Sequence, residues 1–102
     1  MSNTYQIYLI SDSTGETLDR VFLAIKAQFT NIKYDVKSYF FTRTENQVSK
    51  IMEEAKKKNN AIILYTIVDT SLAKFLANKG DEKNIPCFSV LGNLIMNFSK
   101  LL

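Results

Sequence analysis

A chain of 102 residues with 46% hydrophobic and 23% charged side chains has the size and balance of one globular domain, not of a disordered or fibrous chain. The net charge of +3 is mild, and much of it comes from Lys56, Lys57 and Lys58, where a helix end explains the cluster without invoking nucleic acid. With no histidine, a Ser-His-Asp triad, a Cys-His pair and a histidine zinc site are excluded within this chain.

Strands and helices alternate along the sequence. Tyr5 to Ile10 reads as a strand, followed by the hydroxyl-rich loop Ser11-Asp12-Ser13-Thr14-Gly15-Glu16-Thr17. Leu18, Val21, Phe22, Ile25 and Phe29 then recur on one face of a first helix. Tyr34 to Phe41, rich in β-branched and aromatic residues, reads as a second strand. Thr44 and Gln47 form a capping-box signature ahead of the stripe Val48, Ile51, Met52 and Ala55. The nearly continuous apolar run Ala61 to Val68 suits a central strand buried on both faces. A shorter helix with Leu72, Phe75 and Leu76 is expected to stop at Gly80, and Pro86 to Val90 is the fourth strand. Leu91, Leu94, Ile95, Phe98 and Leu102 keep helical spacing to the last residue, with no stop signal.

This order predicts an α/β fold: a three-layer, Rossmann-like or flavodoxin-like parallel sheet of about four strands in the order 2-1-3-4, with helices on both faces. Residues 1–102 read as a single domain, expected to be the N-terminal fragment of a longer two-domain protein. The apolar face of residues 91–102 would then rest on this domain's own sheet, a second subunit or a downstream domain. No apolar run approaches the roughly 20 residues that cross a bilayer, and no signal-peptide layout is visible, so a cytoplasmic location without membrane association is expected. The single Cys87 has no internal partner and fits a reducing compartment; as a residue type it reads as a small core hydrophobe.

Ligands of open parallel sheets bind beyond the carboxyl ends of the strands, where strand order reverses. Here that crevice gathers Ser11, Asp12, Ser13 and Thr14 after the first strand, Thr66, Val68 and Asp69 after the third, and Thr42 and Arg43 after the second. Hydroxyls, one glycine and backbone N–H groups at a helix N-terminus seat an anion, so Ser11, Ser13, Thr14, Gly15, Glu16 and Thr17 are the candidate phosphate-binding loop. The same residues permit a plainer reading, since Ser13 with Glu16 also spells a capping box. Asp12 suits a general base or metal ligand, and equally a turn residue accepting backbone N–H groups. Asp69 is a catalytic candidate or the N-cap of the third helix, and Arg43 is a phosphate clamp or a surface residue. Thr42, Arg43 and Thr66 are the remaining cleft candidates. Neither a G-x-x-x-x-G-K-[ST] loop nor a G-x-G-x-x-G fingerprint is present, and no bound metal or cofactor is expected in this chain.

The 11–17 loop, Gln28-Phe29, Tyr65-Thr66-Ile67-Val68-Asp69, Ile85-Pro86-Cys87 and Val90-Leu91-Gly92 together resemble the bacterial pyruvate, phosphate dikinase and phosphoenolpyruvate synthase regulatory proteins. The likeness runs along nearly the whole chain. It departs at Ser89, where the family commonly has aspartate, and at Asn93, where proline is usual. The resemblance implies a bifunctional kinase–pyrophosphorylase. Such an enzyme phosphorylates a threonine of the dikinase or synthase with ADP as donor, and removes that phosphate with inorganic phosphate, releasing pyrophosphate. It also implies a C-terminal P-loop domain that this sequence lacks, so the 102 residues alone are expected to be inactive.

Two other functions fit the residues. Strand, S-x-S-T-G-x-T and helix is also how flavodoxins hold the phosphate of FMN, which would make this an electron carrier. A non-catalytic interaction module, docking a partner or forming a homodimer through residues 91–102, is the third reading.

Overall fold

A computed structural model describes residues 4–102. The elements are β1 (Tyr5–Ser11), α1 (Glu16–Gln28), β2 (Tyr34–Tyr39), α2 (Glu45–Lys56), β3 (Ala61–Thr66), α3 (Thr70–Lys83), β4 (Cys87–Ser89) and α4 (Gly92–Leu101). All strand pairs are parallel and the sheet order is β2-β1-β3-β4, as the alternation predicts. Tyr8 lies beside Lys37 on one side and Ile63 on the other.

Successive side chains of a strand point to opposite faces, and β1 serves two cores in this way. Tyr8 and Ile10 pack with Val48, Ile51, Met52 and Ala55 of α2 and with Leu72 and Leu76 of α3. Ile7 and Leu9 pack on the other face with Leu18 and Phe22 of α1. Helices therefore cover both faces, in three layers. Full burial of side chains such as Met52, Ile63 and Leu76 contributes about 1.5–3 kcal/mol each.

The capping box of α2 forms as its sequence predicts. Thr44 Oγ1 accepts from the Gln47 N–H at 3.1 Å, and Gln47 Oε1 accepts from the Thr44 N–H at 3.0 Å. Lys56 extends from the end of α2 to donate to the Lys83 carbonyl at 3.0 Å, so this lysine tethers the ends of two helices.

Several boundaries differ from the sequence reading, among them β3, which ends at Thr66 and not at Val68. Helix α3 passes through Gly80 and ends at Lys83, with Asn84 taking the left-handed cap at φ 56°. Gly80 is glycine for a packing reason: a Cβ there would collide with Cys87 Sγ. Strand β2 stops at Tyr39, because Phe41 turns the chain at φ 54° and carries it over the loop after β1. Strand β4 spans only three residues, shorter than Pro86 to Val90. Among the described residues no helix is long and apolar enough to cross a membrane.

Candidate functional site

The loop after β1 is held by backbone and side-chain bonds to both neighbouring strands. Thr42 N–H donates to the Ser11 carbonyl at 2.9 Å and Phe41 N–H to the Ser13 carbonyl at 3.0 Å, which ties the turn after β2 to the loop. On the other side Asp12 N–H donates to the Thr66 carbonyl at 3.1 Å. Asp12 Oδ2 accepts from the Val68 N–H at 2.8 Å, fastening the segment after β3. Arg43 Nε donates to the Asp12 carbonyl at 3.0 Å while its guanidinium lies over the Phe41 ring at 5.1 Å. The carboxyl ends of β2, β1 and β3 are thus joined through one short loop.

The sequence-predicted residues divide by burial. Ser11 and Thr42 are enclosed, at 1% and 2% exposure. Ser11 Oγ accepts from the Ser13 N–H at 3.0 Å and from Thr66 Oγ1 at 3.3 Å, and Thr42 Oγ1 donates to the Tyr39 carbonyl at 3.3 Å. These three hydroxyl residues, Ser11, Thr42 and Thr66, hold the loop in place. Ser13, Thr14, Glu16, Thr17 and Arg43 are exposed at the rim. Asp69 Oδ1 caps α3 by accepting from the Leu72 N–H at 3.0 Å, which is the N-cap alternative of the sequence reading. Asp12 likewise makes the backbone bond expected of a turn residue.

The start of α1 corrects one expectation. Ser13 and Glu16 form no capping box, because the N-cap is Gly15 at φ 80° and no side chain among the described residues caps the helix. The Ser13 N–H is already turned toward Ser11, which draws Ser13 away from the first turn. Asp19 N–H makes the first helical bond, to the Gly15 carbonyl at 3.0 Å. The N–H groups of Glu16, Thr17 and Leu18 precede it and have no intrahelical acceptor. An uncapped N-terminus carries partial positive charge, and here the exposed Ser13 and Thr14 lead into it while Arg43 is anchored on the same loop at Asp12. Such a set can hold an oxyanion.

A second polar group went unnoticed in the sequence. Glu54 Oε2 accepts from the Tyr39 hydroxyl at 2.7 Å and from Lys37 Nζ at 3.0 Å. The Tyr39 hydroxyl, then Lys37, hold the Glu54 carboxyl below its ordinary value, and burial pushes Tyr39 well up. Lys37 and Tyr39 share one face of β2, but Glu54 lies 17 and 15 residues away from them, and only the β2–α2 crossover brings it to them. Cys87 is half-buried; its thiol donates to the Ile85 carbonyl at 3.4 Å, and burial, with Asp81 nearby, pushes it up to about 11. That is the environment of an inert thiol.

The sequence model of one family, described as kinase/pyrophosphorylase, matches residues 7–102. The chain belongs to that family. A protein of Pelagibacter ubique named pyruvate, phosphate dikinase regulatory protein is 95% identical over all 102 residues, which cover 37% of it. Proteins of the same name from Geotalea uraniireducens and Alkaliphilus oremlandii are 34% and 35% identical over 95% and 94% of this chain, which covers 36% and 34% of them. The chain therefore spans about a third of the length of the curated relatives it matches.

Proposed function

We propose that this chain is the part of a dikinase-regulating enzyme that holds a phosphate group against the N-terminus of α1. The observation that carries the reading is the uncapped start of α1, with the exposed Ser13 and Thr14 leading into it and Arg43 anchored to the same loop at the Asp12 carbonyl. In the longer family members the phosphate would be that of ADP, inorganic phosphate or a phosphothreonine on pyruvate, phosphate dikinase or phosphoenolpyruvate synthase, in the cytoplasm. The enzyme would inactivate its target by ADP-dependent threonine phosphorylation and reactivate it by phosphate-dependent removal. Phosphoryl transfer needs a positioned donor and charge stabilisation around it, so residues 1–102 supply the oxyanion seat and not the whole reaction.

Thermal unfolding tests the seat. The chain is melted with phosphate, pyrophosphate, ADP, AMP and FMN, each against a matched-salt control. A ligand at about 100 times its dissociation constant adds about 2.7 kcal/mol of stability. The expected result is a shift with phosphate or ADP that disappears in the Ser13→Ala/Thr14→Ala double variant. No shift with either ligand would overturn the assignment, and a shift with FMN alone would favour an electron carrier.

A further inference from the structure

Strand β4 lies at one end of the sheet, and its outer edge has no neighbour among the described residues. The Pro86 carbonyl and the Val90 N–H both bond to β3, at 2.9 and 3.0 Å. Backbone groups alternate along a strand, so the N–H and C=O groups of Cys87 and Ser89 face outward. Helix α4 follows directly and flanks a groove of about 460 Å³ with α3, the two sides set by Ala73 and Ala77 against Ile95 and Ser99. It thus stands on the same sheet face as α3, the crossover helix from β3 to β4. Yet α4 buries none of its residues, and Leu94, Phe98 and Leu101 are all exposed.

From this arrangement we infer that the outer edge of β4 and the apolar face of α4 form an acceptor for a fifth parallel strand. A crossover with its helix on the α3 face keeps the same right hand only if the next strand lies outside β4. Ten helical residues span about 15 Å, close to the height of a strand of five residues, so α4 ends where a parallel strand would begin. The occupant in this reading is a segment beyond Leu102 in the longer family protein; the 95% identical relative is longer than this chain, which covers 37% of it. Side chains of that strand would cover Leu94, Phe98 and Leu101.

Amide exchange resolved to single residues, on this chain and on the full-length Pelagibacter relative, decides the matter. The Cys87 and Ser89 amides should slow by at least about tenfold in the longer protein, independently of protein concentration, while Phe88 is protected in both. Equal exchange of Cys87 and Ser89 at both lengths would overturn the inference. So would slowing that grows with protein concentration, which would make a second copy the occupant. As an independent readout, Leu101→Asp should leave the Tm of the 102-residue chain unchanged and lower that of the longer protein. No loss in the longer protein would also overturn it.

Discussion

Replacing Gly15 by alanine tests the geometry on which the anion seat rests. Gly15 sits at φ 80°, and a Cβ built there meets the Phe40 ring at 2.5 Å from Cε1 and 2.7 Å from Cδ1. The left-handed backbone costs an L-residue about 1–2 kcal/mol. Overpacking against a ring adds about 1–3 kcal/mol where neighbours cannot move freely. Alanine restricts the unfolded chain and returns about 0.4–1 kcal/mol, so the net loss is about 1–4.5 kcal/mol. For a domain of this size each kcal/mol moves Tm by about 4–8 °C, which places the Gly15→Ala loss at about 4 °C or more. The two costs separate in a cycle with Phe40→Ala, because Phe40 is 45% exposed and its removal relieves the clash but not the φ. The double variant should recover part of the loss and stay below Phe40→Ala alone. A Gly15→Ala variant within about 0.5 kcal/mol of the parent, the range of an ordinary surface substitution, would refute the reasoning.

The Glu54 carboxyl is held below its ordinary value, so its ionised form adds stability above the unfolded-state value, and that stability is lost as pH falls through the lower folded-state value. The Tm difference between the parent and Glu54→Gln should therefore be largest near neutral pH and shrink steadily below the usual carboxylate range; a difference that grows toward acid would contradict the assignment. The Cys87 thiol, raised to about 11, should react with iodoacetamide at pH 8 at least tenfold more slowly in the folded chain than in denaturant, and comparable rates would place the thiol in solvent. Glu16 stands exposed in the first turn of α1, where it competes with any bound anion. Glu16→Gln should tighten phosphate binding by about two- to fivefold, the equivalent of about 0.5–1 kcal/mol at a helix N-terminus. Weaker binding in that variant would move the phosphate away from α1.

The order and type of every element were legible because the hydrophobic periods are clean and each crossover is short. The Thr44–Gln47 cap could be read directly, since both partners lie within four residues. What escaped is non-local. The Ser13–Glu16 pair has the same local spelling as a working cap, yet Ser13 N–H is taken by Ser11 and the turn is made by Gly15. Gly80 looked like a stop signal, and only the approach of Cys87 from the next strand explains a glycine within the helix. The left-handed turn at Phe41 had no sequence signal at all, because an aromatic residue rarely adopts that conformation. For the candidate site, the sequence placed these loops together at one end of the sheet but did not separate the residues that hold them from those left at the rim.

That separation carries the chemistry. Of the two carboxylates at the carboxyl ends of β1 and β3, each gives an oxygen to a backbone N–H: Asp12 to Val68 and Asp69 to Leu72. Ser11, Thr42 and Thr66 are occupied among themselves and with the strand ends. A ligand arriving at this end of the sheet therefore meets Ser13, Thr14, Thr17 and the guanidinium of Arg43, next to N–H groups that no side chain caps. Donors dominate that set, and Glu16 and Asp19 are the exposed carboxylates on the first turn of α1. An arrangement rich in donors, fixed from behind by buried hydroxyls and two carboxylates, favours a bound oxyanion over a bound cation. For the proposed oxyanion seat, the same fixing would reduce the ordering that binding must impose.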